Sequence, residues 1–187
     1  MVKKINGVVG SNGISPPLSR RQSLTAMAAV ALLAQPAAAD NTVPKLIKLS
    51  EEANSALMRG DADTYRELIN ISKDFTLMSP FGGKPSHGSD YTAETWDEIG
   101  KFFKSGTFEQ ELVQSYHSAD MVVLAVIERA NVEVGDIPAQ EWALRVTLVF
   151  QRDGSEWHLV HRHADPLSHK ISVAQAAALA RGHHHEN

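Results

Sequence analysis

Between Thr42 and Ala164 the spacing of apolar residues changes, and the changes mark out the elements. Leu46, Leu49, Ala53, Ala56 and Leu57 recur every three or four residues, as one face of a helix does. Thr42 is a plausible cap for that helix, Pro44 sits in its first turn, and Gly60 closes it. Asp61 is placed to cap a second, shorter helix carrying Tyr65, Leu68 and Ile69. The period then falls to two over Asp74–Ser79, which reads as a strand, and a Gly/Pro loop runs from Pro80 to Asp90. A third helix is expected next, with Trp96, Ile99 and Phe103 on one face and Gly106 at its end.

Alternation dominates the remainder. Glu109–His117, Met121–Val134, Ala139–Arg152 and Glu156–Ala164 read as strands separated by turns at 118–120, 135–138 and 153–155. Strands joined by so few residues pair as antiparallel hairpins. The order helix, helix, strand, helix, four strands predicts an α+β fold: a curved antiparallel sheet covered on one face by the N-terminal helices. An Ala-rich stretch, Ser168–Gly182, predicts a terminal helix.

The first 39 residues read as an address rather than as structure. Lys3 and Lys4 give a basic start, "SRRQSL" (19–24) resembles a twin-arginine export signal, and Ala37 and Ala39 fit an A-x-A cleavage site. The apolar run from Leu24 to Ala34 falls well short of the ~18–20 residues of a spanning helix. The expected organisation is an export signal over 1–39, one domain over 40–167, and a C-terminal helix and tail over 168–187. The expected location is the periplasm or the medium, with no membrane association after signal removal. The signal carries Lys3, Lys4, Arg20 and Arg21 and no acid, so the chain's 18 basic and 22 acidic residues become 14 and 22 after cleavage, a formal charge of −8. Such a chain, lacking a basic block, is not drawn to nucleic acid or anionic lipid. It has no cysteine, which suits an oxidising compartment.

"RGDADTYRELI" (59–69), "SPFGGKPSHG" (79–88) and "DGSEWHLVHRHADPL" (153–167), in that order and spacing, resemble the SnoaL-like branch of the nuclear transport factor 2-like (ketosteroid isomerase-like) superfamily. The resemblance implies a cone-shaped α+β fold with an apolar pocket between sheet and helices, usually in a homodimer. It also allows ketosteroid-isomerase chemistry to be checked residue by residue. The general-base position before the Pro-x-Gly turn is Ser79, a hydroxyl that cannot abstract a carbon-bound proton unaided. The position of the helix-1 tyrosine is Ala53, and no carboxylate lies between Arg145 and Phe150, where a second acid would stand. That reaction is excluded.

The segment "WHLVHRHADPLSH" (157–169) holds four of the nine histidines. Strict strand alternation puts Trp157, Leu159, His161, His163 and Asp165 on one face, taken as the core and pocket side, and His158, Val160, Arg162 and Ala164 on the other. His161 and His163 are therefore the candidate proton-transfer residues, with Asp165 orienting one of them. The alternative is hydrogen-bonded core histidines. An H-x-H pair could also supply two metal ligands, but none of His117, Glu141 and Asp165 stands at a telling spacing for a third, so no metal and no cofactor is assigned. Ser79, Phe81, Trp96, Tyr116, Thr147 and Trp157 are the candidate ligand-binding residues. Arg145, with Glu141 four residues before it, is assigned to solvent or a dimer face rather than the pocket. "FGGKP" lacks phosphate-loop spacing and is a turn, and the terminal "GHHHEN" is taken as inert.

These residues predict an exported protein whose pocket takes a small, largely apolar molecule, with isomerase, cyclase or dehydratase chemistry open to it. The competing expectations are a non-catalytic dimerising or scaffold module with a vestigial pocket, and a periplasmic metal-binding protein.

Overall fold

The computed structural model describes residues 41–181. The expected export signal and the terminal histidines, at 183–185, lie outside the described residues. Helix α1 (Thr42–Met58) is stopped at Gly60, whose φ of 88° needs no Cβ to be accommodated. Asp61 caps α2 (Ala62–Leu68) by accepting from the Thr64 amide at 2.9 Å. Strand β1 (Ile71–Met78) leads through the short β2 (Ser86–His87) and a 3-10 turn to α3 (Ala93–Phe102), capped by Thr92. Four long strands follow: β3 (Phe103–His117), β4 (Met121–Val134), β5 (Ile137–Asp153) and β6 (Glu156–Pro166). The seven-residue α4 (Val173–Leu179) is exposed along its length.

Gly106 does not end the third helix. The chain turns into β3 directly at Phe103, and Gly106 lies inside that strand. Its missing side chain is required there, because a Cβ would stand 2.6 Å from the Met58 carbonyl oxygen and 2.8 Å from a Val132 methyl. The glycine sets how closely β3 passes the end of α1.

The six strands form one curved, unclosed sheet in the order β2-β1-β6-β5-β4-β3. The hairpins β3–β4, β4–β5 and β5–β6 are antiparallel as expected. The sheet is not wholly antiparallel, because β1 lies parallel to β6. Nothing ties β1 to β6 by a tight turn, since four strands, the 3-10 turn and α3 intervene in the chain, so hairpin reasoning does not reach that pair. Helices α1, α2 and α3 lie on the inner face. On β4 the inward residues are Val122, Leu124, Val126, Glu128, Ala130, Val132 and Val134, and on β5 they are Trp142, Leu144, Val146, Leu148 and Phe150. Most are almost fully buried and pack against Leu46, Ala53, Tyr65, Phe75 and Trp96.

Strand β6 breaks the alternation. Phe150 pairs with Leu159, but Val149 pairs with His161, so Val160 is an extra residue. Such a bulge shifts every later side chain to the opposite face. Leu159 points inward, as do Arg162 and Ala164, which pair with the inward Leu148 and Val146. His161, His163 and Asp165 pair with Val149, Thr147 and Arg145 and share their outer face.

Candidate functional site

A cavity of about 220 Å³ opens between the helices and the inner face of the sheet. Helix α1 contributes Asn54, Leu57 and Met58, α2 contributes Tyr65, and α3 contributes Trp96, Ile99 and Phe102. Their hydrophobic spacing turns these residues toward the sheet. The walls are aromatic. Trp96 lies 5.7 Å from Tyr65 and 5.3 Å from Tyr91 between ring centres, and Tyr91 meets Phe75 edge-on at 5.5 Å. At the exposed rim, Phe81 packs on Phe102 at 5.7 Å and on Trp142 at 5.4 Å.

Against these apolar walls stands one ion pair. Arg162 reaches across β5 to Glu128 on β4, donating from Nη1 to Oε1 at 2.7 Å and from Nη2 to Oε2 at 2.6 Å. Both side chains are buried, Glu128 the more deeply, with 4 % of its side chain exposed against 16 % for Arg162. Burial works against the arginine's charge, but the Glu128 charge and its hydrogen bonds outweigh it and hold the guanidinium above its ordinary pKa. The pair is a fixed, ionised fork with no net charge. These two are the only charged side chains among the described residues that line the cavity.

Tyr65 and Tyr91 complete the polar part of the wall. Burial pushes the Tyr65 phenol up and the Tyr91 phenol up to about 12, so both are protonated at neutral pH. Neither makes a hydrogen bond among the described residues, where no buried polar side-chain atom lacks a partner, so both hydroxyls open onto accessible space. Ser79 also lines the cavity, with its Oγ accepting from the Phe81 amide at 3.2 Å.

Of the candidate ligand-binding residues, Ser79, Phe81 and Trp96 line this cavity. Tyr116 does not: it pairs with Val123 on the outer face and is exposed. Thr147 is on the same outer face, opposite His163. Trp157 packs at the edge of the core, with the Arg152 guanidinium 6.0 Å from its ring centre, and is not part of the lining. The inward placement of His161, His163 and Asp165 is corrected as well. The Val160 bulge turns all three outward, where Asp165 lies 3.7 Å from Arg145 and 3.7 Å from His163. Arg145 is thus outside the pocket, paired with Asp165 rather than Glu141. A shallow outer depression gathers Arg145, Thr147, His163 and Asp165 beside Val113 and Ile127. Among the described residues no three His, Asp or Glu side chains converge as metal ligands would.

Sequence reasoning missed Glu128, Arg162, Tyr65 and Tyr91 as site residues. Glu128 carries a visible signal, being the one charge in the inward series from Val122 to Val134. Arg162 carries none until the bulge is known.

A SnoaL-like domain model matches residues 47–167. The chain belongs to the SnoaL-like family, within the nuclear transport factor 2-like superfamily. Among solved structures, this SnoaL-like chain resembles a nuclear transport factor 2-like superfamily protein of Salmonella enterica, with 15 % identity, 76 % of this chain and 99 % of that one covered, and a TM-score of 0.57. A Thiobacillus denitrificans protein assigned as a calcium/calmodulin-dependent protein kinase type II association domain matches with 22 % identity over 64 % of this chain and 93 % of that one, TM-score 0.51. The association domain of that kinase from C. elegans matches with 13 % identity over 66 % and 95 %, TM-score 0.50. At these identities the likeness is one of fold. No curated protein matches the chain. No helix among the described residues is long and apolar enough to cross a membrane.

Proposed function

We propose that this SnoaL-like protein is an exported binding protein whose cavity holds a small, largely apolar molecule with one polar end. The observation that carries the reading is the cavity itself: aromatic walls around a buried ion pair, with two open phenols. Mostly apolar walls with a few fixed polar groups are the usual make-up of a small-molecule site. Its 220 Å³ is below the ~300–1,000 Å³ of drug-sized sites, which favours a compact, single-ring ligand.

Binding is favoured over turnover because of how the polar groups are arranged. His161 and His163 face away from the cavity, and both Glu128 oxygens are occupied by Arg162. A protonated phenol is a hydrogen-bond donor and a poor base at neutral pH. An isomerase, cyclase or dehydratase would need a proton acceptor in the cavity, and its one carboxylate is already engaged.

Export rests on the "SRRQSL" and A-x-A features of residues 1–39. Replacing Arg20 and Arg21 by Lys should leave the precursor in the cytoplasm. Self-association as a homodimer rests on the family resemblance and on the exposed Leu112, Val113 and Tyr116 of the edge strand β3. Sedimentation of residues 40–187 tests it.

The deciding experiment is native mass spectrometry of the protein recovered from its own host. A mass increment of one small molecule is expected, lost on mild denaturation. It should be absent from Ala130→Phe, which fills the cavity from β4. Wild-type protein with no retained mass, and no thermal stabilisation by a panel of single-ring compounds, would favour the scaffold reading instead.

A further inference from the structure

We infer that the Glu128–Arg162 pair makes the cavity select ligands whose polar end is an uncharged oxygen acceptor, a ketone or aldehyde carbonyl, and exclude carboxylates, with Glu128 as the specificity-determining residue. The inference rests on the ligand-binding reading above and adds the chemical class of the ligand's polar end.

A lone arginine in an apolar pocket would be a carboxylate receptor, because its planar fork matches two carboxylate oxygens. Here that role is filled from within. The Nη1 and Nη2 atoms of Arg162 each donate to one Glu128 oxygen, so the fork is occupied and its charge cancelled. A guanidinium has five N–H groups, which leaves three with no role in the pair. An entering carboxylate would bring a second negative charge beside Glu128, and no other cation lines the cavity among the described residues. Moving that charge out of water without a counter-ion costs more than the available hydrogen bonds return.

A carbonyl oxygen meets none of that cost. It needs donors and carries no charge, and the wall presents donors: the spare Arg162 N–H groups and the Tyr65 and Tyr91 hydroxyls, which have no partner among the described residues. The rest of the ligand meets Phe75, Trp96 and Trp142. Glu128 therefore turns an anion receptor into a carbonyl receptor without itself needing to touch the ligand.

The test uses two pairs of probes that share a skeleton: acetophenone against benzoate, and cyclohexyl methyl ketone against cyclohexanecarboxylate. At pH 7.5 both acids are anions. Binding is read from the indole N–H signals of Trp96 and Trp142, which line the cavity, with Trp157 outside it as internal control. Wild-type protein should bind each ketone at least about tenfold more tightly than its acid, and Glu128→Gln should reverse the order. A carboxylate that binds the wild type as tightly as its ketone overturns the inference and leaves the binding reading standing. An unchanged order in Glu128→Gln overturns it too. If no probe moves either indole in any protein, the binding reading itself fails. Should Glu128→Gln not fold alone, refolding with benzoate but not with acetophenone is the expected outcome, and rescue by the ketone instead counts against the inference. The uncharged Glu128→Gln/Arg162→Gln double variant should keep the ketone preference, and a carboxylate preference there also overturns it.

Discussion

Replacing Arg162 by methionine removes one half of the buried pair and leaves Glu128 without a counter-ion. With 4 % of its side chain exposed, Glu128 cannot recover its solvation without opening the sheet–helix interface. Breaking a buried pair in this way costs about 3–5 kcal/mol. The cavity adjoins both groups and admits water, so we expect the lower end, about 3 kcal/mol. With a urea m-value of about 1–3 kcal/mol/M, the unfolding midpoint should fall by at least about 1 M. A double-mutant cycle makes the reasoning specific. In Glu128→Leu/Arg162→Met both charges go together, and stability should return to within about 1 kcal/mol of wild type or exceed it. The control is Arg152–Asp120, a pair with a similar 2.8 Å contact but side chains 41 % and 71 % exposed. Asp120→Asn should cost less than about 1 kcal/mol. Urea titrations followed by tryptophan fluorescence measure these three variants and the single Glu128→Leu that closes the cycle. Two outcomes refute the argument: Arg162→Met within 1 kcal/mol of wild type, or a double variant whose loss equals the sum of the single losses.

Three further outcomes follow from the same geometry. His161→Ala and His163→Ala, on the outer face, should each cost less than about 1 kcal/mol and leave ligand-dependent thermal stabilisation intact, as differential scanning fluorimetry would reveal. Gly106→Ala should lower stability by about 1–3 kcal/mol, because the new methyl meets backbone and a buried valine that cannot swing away; an unchanged urea midpoint counts against that packing. Stability should fall as pH rises from 10 toward 12, since unfolded phenols ionise near 10 while Tyr91 stays protonated in the folded state up to about 12. The folded state then binds more protons than the unfolded one, which gives the negative slope. Tyr91→Phe should flatten this alkaline decline, and an equally steep decline in the variant would assign it to other groups.

How much of this was legible in the sequence depends on whether the determinant was local. The helices, the succession of the four long strands and their hairpins follow from spacing and turn residues, with β4 alternating throughout and β5 from Trp142 to Phe150. The helix end expected at Gly106 fails because its glycine serves a contact with Val132, a residue distant in sequence. The histidine strand fails for a related reason. The extra residue at Val160 is held by neighbours on both sides, with the Leu159 amide donating to the Asn70 carbonyl at 2.8 Å and β5 pairing across the bulge. No periodicity within β6 encodes those neighbours.

Even so, one constraint inside the sequence bears on the bulge. Strict alternation on β4 places Glu128 inward, among valines and a leucine, and a buried carboxylate requires a cation. The same alternation turns Arg129 and Arg145 outward, so neither can supply it. On an unbroken β6 Arg162 also faces outward, and Glu128 would stand alone. Inserting one extra residue into β6 before Arg162 brings the arginine onto the inner face and sends His161 and His163 out. The unpaired charge on one strand and the slip on another are thus one requirement. Its satisfaction decides which side chains the cavity presents: a neutralised arginine and two phenols, in place of a pair of imidazoles.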